Sequence, residues 1–527
     1  MPADAPIVFQ ARDQQTPRAP SGALEQPPAS TREIWFVYSG FMVVMALAAL
    51  DQSIVATALP RIVSDLGGVT HISWVVTAYV LASISVMPLY GKLSDQYGRK
   101  TMIYVAIAIF LIGSALSGLS QSMTELILFR AVQGLGAGGL IPLSQIVIAD
   151  LVPPRERGRY QGNIGIVFAV CSVAGPAIGG FITQALSWHW IFYINLPIGV
   201  IAFVMIAITL KRSNPTVHRS IDYAGAALLA AATTCLLLVM SLGGTQFPWV
   251  SLEILGMAAL GLALAACFVA RERYAREPIM PLGLFRNKVF VIGVVTLAFA
   301  FMGMQGATTF FPLFFQVVLG VHIANSGMLT APMLIGIVVS AKTNGLFVYR
   351  SGRYKPLQTG GIAMGVLAFA VLAWAAQTSQ SLWVIEPALV ALGLGLGMVN
   401  PNMVVAIQNA VDKRHLGSAT ASSSFFRSLG GVIGVAASGA ILARQLQSLL
   451  ASTKLPGGVS ARQILSGGTV QLNALPPAAH ALVVAMYRHA IATCFAGGAL
   501  TTLLALIAAL IIPELPLRAQ PQAKAKG

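Results

Sequence analysis

Two ionisable residues, Asp51 and Arg130, lie within long apolar runs, where an unpaired charge is costly. Gln133 follows Arg130 three residues later and shares its helix face. An environment of low dielectric disfavours the charged form of a carboxylate, which makes Asp51 a candidate proton carrier. A buried arginine needs an acceptor, and Asp51 or a backbone carbonyl of the first span is the candidate. We therefore predict that Asp51, Arg130 and Gln133 form a proton-coupling group.

Both charges also have a plainer interpretation. If Pro60 ends the first apolar helix, Asp51 is an interfacial acid near the outer edge of that helix. Arg130 lies only a few residues from the Ser120–Thr124 loop, so its side chain could extend to the outer membrane interface.

The string from Gly91 to Lys100, the latch loop, is the second candidate site. Its functional residues are predicted to be Gly91, Asp95, Gly98, Arg99 and Lys100. The glycines permit a tight turn and close helix approach, and the acid can cap a helix start or pair with a base. The bases can bond carbonyls at a helix C-terminus. Such a charged loop can latch one side of a helical bundle, although a basic loop that only reflects membrane topology is the alternative.

The latch loop has a partial copy in the second half of the chain. Gly345 and Gly352 have the same seven-residue spacing as Gly91 and Gly98, and Arg353 and Lys355 follow. Tyr349 stands where the first copy has its acid, so the second copy is degenerate. The spacing indicates two six-helix units related by a parallel repeat.

The elements that carry these residues are predicted to be membrane helices. The chain of 527 residues is 56% hydrophobic and only 9% charged, with a mean hydropathy of +0.77, too few charges for a water-facing surface. Fourteen apolar runs without period-2 alternation predict an all-α membrane protein of two six-helix bundles plus two inserted helices. The predicted regions are a disordered cytoplasmic tail at 1–33, a six-helix bundle at 34–210, and two inserted helices with cytoplasmic linkers at 211–288. They continue with a six-helix bundle at 289–512, which includes an extracytoplasmic loop at about 444–486, and a cytoplasmic tail at 513–527.

The net charge of +16 is spread over short loops rather than clustered, which argues against nucleic-acid binding. With the amino terminus inside, 25 of the 33 basic residues fall in inner segments, five in outer segments and three within spans. This bias predicts that both termini are cytoplasmic. No nucleotide-binding loop and no metal-ligand spacing is present, so we expect no cofactor, no metal and no enzyme activity.

A glycine-rich string in the fifth span is the third candidate site. Its residues are Gly175, Pro176, Gly179 and Gly180. Gly175 and Gly179 form a small-xxx-small face that favours close helix packing, and an interior proline bends a helix. Ordinary packing and a functional role are equally consistent with this pattern alone.

The latch loop resembles the cytoplasmic signature of the major facilitator superfamily, and the glycine-proline string resembles its antiporter motif. With the Asp51 segment and the string from Trp188 to Gly199, the chain resembles the fourteen-span drug:proton antiporter family (EmrB/QacA type) over about residues 34–512. One departure is His189, where the family usually has arginine. The resemblance implies proton-driven export of small amphipathic or cationic compounds, multidrug efflux and antibiotic resistance, from the inner membrane by alternating access.

The substrate cavity and the partners are less closely defined. Candidate cavity residues in the second half are Gln305, Gln316, Asn400, Asn402 and Arg427. Amides within spans can line a polar cavity or hold helices together. A periplasmic adaptor and an outer-membrane channel are candidate partners beside substrate, protons and lipid. The alternatives are an exporter of a narrow metabolite such as a sugar or amino acid, and a non-transporting membrane sensor.

Overall fold

The computed structural model describes residues 31–68, 71–210, 222–244, 246–321, 328–378, 380–452 and 475–517. Within these ranges, fourteen helices are long and apolar enough to cross a membrane. They are α1 Thr31–Leu66, α2 Ile72–Tyr97, α3 Arg99–Leu119, α4 Met123–Leu151, α5 Pro154–Ala185, α6 Trp190–Thr209, α7 Tyr223–Leu242, α8 Leu252–Tyr274, α9 Lys288–Val318, α10 Met328–Ser351, α11 Lys355–Thr378, α12 Leu382–Ala410, α13 Lys413–Ser452 and α14 Pro477–Ile511.

The helices pack as two groups with the same internal pattern. In the first group α1 packs on α5, α2 on α4, and α3 on α4 and α6. In the second group α9 packs on α13, α10 on α12, and α11 on α12 and α14. The two groups meet through α2 against α13 and α5 against α10. The inserted helices α7 and α8 pair with each other, and α7 lies beside α2 and α13. This repeated packing is the expected arrangement of two six-helix bundles plus an inserted pair.

Local sequence explains where several helices begin and turn. Ser122, Asp222, Ser251 and Asn287 each accept a hydrogen bond from a backbone N–H of the following first turn. Gly98 joins α2 to α3 at a φ of 88°, which a residue with a side chain rarely adopts. Large apolar side chains remain exposed along the outer faces, as helices in contact with lipid require.

Three predicted boundaries differ from the structure. Pro60 does not end the first helix, because α1 continues through it to Leu66; interior prolines are tolerated in membrane helices. The predicted loop at 444–486 is partly helical, since α13 extends to Ser452 and α14 begins at Pro477. Leu446 and Leu450 are buried there and hold the extension against the bundle. The remainder of that loop at 453–474, residues 1–30 of the predicted first tail and residues 518–527 of the second lie outside the described residues.

Candidate functional site

Asp51 lies at the centre of a buried polar cluster inside the first bundle. Its Oδ2 accepts a hydrogen bond from Arg130 Nη1 at 2.8 Å, and its Oδ1 accepts from Gln133 Nε2 at 2.8 Å. Arg130 Nη1 also donates to Gln133 Oε1 at 2.7 Å. Asp51 and Arg130 are each 1% exposed. The structure therefore brings together the three residues of the predicted coupling group, and it buries both charges inside the bundle rather than at its surface.

The surroundings of Arg130 connect it to the second helix. Its Nε donates to the Val75 carbonyl at 3.3 Å, and its guanidinium carbon lies 4.1 Å from the centre of the Tyr79 ring. A cation over an aromatic face is attracted by the ring quadrupole. Arg130 on α4 thus joins Asp51 on α1 to two residues of α2. Loss of the ion pair with Asp51 would therefore alter contacts among these three helices.

Sequence reasoning missed two members of this cluster. Asn195, at the bend within α6, donates through Nδ2 to Asp51 Oδ1 at 2.8 Å and to Ser114 Oγ at 3.0 Å. Ser114 on α3 in turn donates to the Phe192 carbonyl at 2.8 Å. Asn195 belongs to the string that resembled the family, but its apolar neighbours gave no sign of which way it faces. With it, Asp51 accepts three hydrogen bonds, which satisfies an ionised carboxylate.

The predicted latch loop is almost entirely helical, because α2 runs through Gly91 to Tyr97 and α3 begins at Arg99, and it connects the two bundles. Asp95 Oδ2 accepts from the backbone N–H of Ser418 at 3.1 Å and from its hydroxyl at 3.3 Å, at the start of α13. A carboxylate at a helix N-terminus satisfies free donors and complements the helix dipole. Arg99 pairs with Asp95 on one side and donates to Asp150 at 3.0 Å on the other. Asp95 therefore caps a helix of the second bundle while Arg99 holds it in place.

Lys100 and Arg99 differ in their partners. Lys100 Nζ donates to the Ala207 carbonyl at 2.8 Å, at the end of α6. This is the predicted contact of a base of the latch loop with a carbonyl at a helix C-terminus. Arg99 instead bonds carboxylates, because Asp150 at the end of α4 lies within reach. In the second bundle Lys355 donates to the Leu510 carbonyl at 3.0 Å, so the degenerate copy keeps the lysine contact.

Glycines allow the two bundles to touch at the end that holds the latch loop, here called the latch end. A Cβ atom on Gly91 would lie 2.4 Å from Ala421 Cβ of α13. The repeated glycine Gly345 would bring a Cβ to 2.7 Å from the Arg159 Cα of α5. Real side chains do not reach such distances, so these two contacts require glycine. The two copies of the loop thus close the two interfaces between the bundles symmetrically.

The glycine-proline string of α5 packs against α1. A Cβ on Gly175 would lie 2.0 Å from Ser53 Oγ, and one on Gly179 would lie 2.5 Å from Thr57 Oγ1. Gly180 has no atom within 4 Å of such a Cβ, so it takes no part in this contact. Pro176 instead lines a large cavity between the bundles. Two of the four residues therefore set the distance between α5 and the helix that carries Asp51.

The cavity has a volume of about 1520 Å³ and is lined by both bundles and by the inserted helix α7. Aromatic and aliphatic side chains form most of its wall, including Phe168, Phe301 and Phe311. It reaches Met328 and Ala443, which lie at the helix ends remote from the latch end. A mostly apolar cavity of this size suits amphipathic molecules rather than strongly hydrated ones.

Three of the five candidate cavity residues line this space, namely Gln305, Asn400 and Arg427. Asn402 and Gln316 are not among the residues of this cavity wall. Asn402 is fully buried and donates to Asn344 Oδ1 at 2.8 Å, so it joins α12 to α10. Gln316 lies in a π-helical turn, Phe314–Val318, after α9 bends near Thr309. That irregular turn changes which face of the chain meets the cavity.

Comparison with known proteins agrees with this arrangement. The family model described as Major Facilitator Superfamily matches residues 41–435. Multidrug transporter protein MdtP of Bacillus subtilis is 39% identical over 420 residues, covering 79% of this chain and 77% of that protein. Multidrug resistance protein 3 of the same organism is 36% identical over 414 residues, covering 78% and 80%. The solved structure of the proton:xylose symporter XylE superposes with a TM-score of 0.59 at 15% identity, covering 92% and 97%.

The fold and the central cavity are those of a multi-pass membrane transporter rather than an enzyme. The chain belongs to the major facilitator superfamily, and its relatives include multidrug efflux proteins. The predicted fold class and the predicted family are thereby confirmed.

Proposed function

We propose that this transporter is a proton-driven antiporter that exports small amphipathic compounds by alternating access. The observation that carries the proposal is the buried Asp51, whose carboxylate accepts three hydrogen bonds and pairs with Arg130. No packing need explains a fully buried ion pair inside a membrane bundle, because desolvation makes such pairs costly. A proton on Asp51 would remove the negative charge and leave Arg130 uncompensated.

Protonation of Asp51 gives a physical route from charge to shape. Arg130 contacts both α1 and α2 in addition to its own helix, so loss of the ion pair changes the balance among three helices. Helix α2 ends in the latch loop, where Asp95 caps α13 of the other bundle. We infer that a proton at Asp51 and the closed latch favour different conformations, which is the requirement for coupling.

The conformation in the structure supports alternating access. The bundles touch through Gly91 and Gly345 at the latch end, whereas the cavity reaches the opposite helix ends. If the latch end is cytoplasmic, as the distribution of basic residues predicts, this is an outward-facing state. The relatives named as multidrug proteins and the apolar cavity favour an amphipathic substrate over a sugar or amino acid.

We place the protein in the cytoplasmic (inner) membrane with both termini inside. In a cell with two membranes, export past the outer one would also require a periplasmic adaptor and an outer-membrane channel as partners. A cysteine at Ser466, in a variant without the four native cysteines, should react with an impermeant thiol reagent added to intact cells. A cysteine at Ser351, which is exposed at the latch end, should react only after permeabilisation. The reverse pattern would contradict this orientation.

Proteoliposomes test the proton coupling directly. The purified transporter should move an amphipathic dye such as phenylnaphthylamine uphill when a pH gradient is imposed, and an ionophore that collapses the gradient should stop this movement. ATP should have no effect, since the chain carries no nucleotide-binding loop. Uphill transport that persists without a proton gradient would contradict antiport, and the absence of counterflow for every dye in a drug panel would favour the sensor alternative.

A further inference from the structure

The wall of the cavity carries charge of one sign. Arg427 is the one charged side chain among its described lining residues. The chain has 17 acidic residues, and the 13 whose side chains are described all lie outside this wall. The other four, Asp4, Asp13, Glu25 and Glu33, precede the membrane region or lie at its very start. A lipophilic cation would therefore meet a positive charge in the cavity and no carboxylate.

Arg427 is positioned differently from the arginine of the coupling cluster. Its Nη1 donates to Asn400 Oδ1 at 3.1 Å, and its guanidinium carbon lies 5.3 Å from the centre of the Phe301 ring. Neither contact neutralises its charge, and no described ion pair includes it, whereas Arg130 is paired with Asp51. Arg427 lies 11 residues after the start of helix Leu416–Ser452, roughly 16 Å along its axis, well inside the apolar span. A positive charge at that depth is costly unless it has a counter-ion in some state.

A second polar side chain of the cavity wall is buried without a described hydrogen-bond partner. Gln161 on α5 lines the cavity wall and is 1% exposed. Neither its amide nitrogen nor its amide oxygen has a hydrogen-bond partner among the described residues. A buried amide without partners is unfavourable, so it is expected to bind a polar group of a molecule in the cavity.

We propose that Arg427 and Asn400 form a subsite for an oxyanion of the substrate, such as a carboxylate, sulfonate or phenolate. The inference rests on the proposed export function and specifies its substrate: an amphipathic anion rather than a lipophilic cation. Guanidinium donors bind the oxyanion, the Asn400 amide adds a donor, and the aromatic wall takes the apolar body. Gln161 is available to a second polar group on the same molecule.

Binding of matched probes to the full-length protein in lipid nanodiscs tests this assignment. Anilinonaphthalenesulfonate carries the oxyanion, phenylnaphthylamine is its neutral parent, and tetraphenylphosphonium is a lipophilic cation. After subtraction of empty nanodiscs, calorimetry should show the sulfonate binding at least tenfold more tightly than the neutral parent, as charge-assisted hydrogen bonds give. It should also bind more tightly than the cation. Equal affinity for the sulfonate and its neutral parent would overturn the proposal.

Variants locate the preference. Arg427→Gln should remove the preference for the sulfonate while leaving affinity for the neutral parent, which also reports a folded cavity. Arg444→Gln is the matched control, because this arginine is exposed on the same helix and outside the cavity wall, and it should keep the preference. If Arg427→Gln binds neither the sulfonate nor its neutral parent, Asn400→Asp tests the subsite instead. A carboxylate beside Arg427 should weaken binding of the sulfonate and strengthen binding of tetraphenylphosphonium.

The outcomes separate this inference from the proposed function. Binding at equilibrium needs no proton gradient, so a sulfonate preference that disappears in Arg427→Gln supports the subsite even if uphill transport fails. Proton-driven transport of tetraphenylphosphonium with no sulfonate preference would support antiport and overturn the subsite. An unchanged sulfonate preference in both Arg427→Gln and Asn400→Asp would also overturn it.

Discussion

Replacement of Asp51 by asparagine removes the negative charge of the coupling cluster while keeping its size. The amide oxygen can still accept one hydrogen bond from Arg130, but its nitrogen now faces the donors of Gln133 and Asn195. The variant therefore imitates permanently the protonated carboxyl. It should lose proton-driven transport, because no proton can bind and leave at this position.

The magnitude follows from the burial of the pair. Loss of one partner of a buried ion pair costs about 3–5 kcal/mol, since the other charge remains without compensation. The retained hydrogen bond favours the lower value, about 3 kcal/mol. Each 1.4 kcal/mol changes an equilibrium tenfold, so the conformation seen here should fall roughly a hundredfold relative to conformations in which Arg130 finds other partners.

Two transport measurements in proteoliposomes separate coupling from binding. Asp51→Asn should show no uphill flux under an imposed pH gradient. It should retain substrate counterflow when the pH is the same on both sides of the membrane. Asp65→Asn is the matched control on the same helix. Asp65 pairs with Arg61 and accepts from Trp188 at 3.1 Å, but it is partly exposed, so its loss should leave uphill flux intact.

Wild-type uphill transport by Asp51→Asn would refute the reasoning and move the proton site elsewhere. Conservative variants add a second criterion. Asp51→Glu should keep part of the activity with a shifted pH optimum, because the carboxylate remains. Arg130→Lys should be poor, because a point charge cannot replace the planar donors that reach Asp51, Gln133 and the Val75 carbonyl together.

Three further outcomes are expected. Asp95→Asn should reduce efflux severalfold at equal expression, because it removes the charged cap of α13. Asp412→Asn changes an exposed acid at the same end and should leave efflux unchanged. Equal efflux in both variants would mean that the charges of the latch loop only reflect membrane topology. Gly175→Ala should lower the melting temperature in detergent by a few degrees, through overpacking of about 1–3 kcal/mol, while Gly180→Ala should have no effect. Burial lowers the pKa of His189 below its ordinary value of 6.5, so the ring is neutral above pH 6.5 and becomes charged only at lower pH. His189→Gln should therefore leave the pH profile of transport unchanged above pH 6.5. A shifted profile would show that His189 titrates during transport.

The spans and the internal repeat could be predicted from the sequence because both depend on local composition. A bilayer requires about 20 apolar residues for each span, and glycines at fixed spacing mark tight helix contacts wherever they occur. The same reasoning identified Asp51 and Arg130, since charge within an apolar run is rare and costly. It could not exclude an interfacial position, because the effect of Pro60 depends on whether neighbouring helices support the bend.

The tertiary structure decided which polar groups meet. Asn195, Ser114 and Asp51 are distant in the chain and come together because α1, α3 and α6 pack side by side. Asn402 and Asn400 are two residues apart, yet one joins two helices and the other faces the cavity with Arg427. A helix turns about 100° per residue, so the neighbours of each side chain depend on helix rotation and packing, which a single sequence does not encode locally. The sign of the charge in the cavity is therefore a property of the packed bundles, even though every residue that contributes to it can be read in the chain.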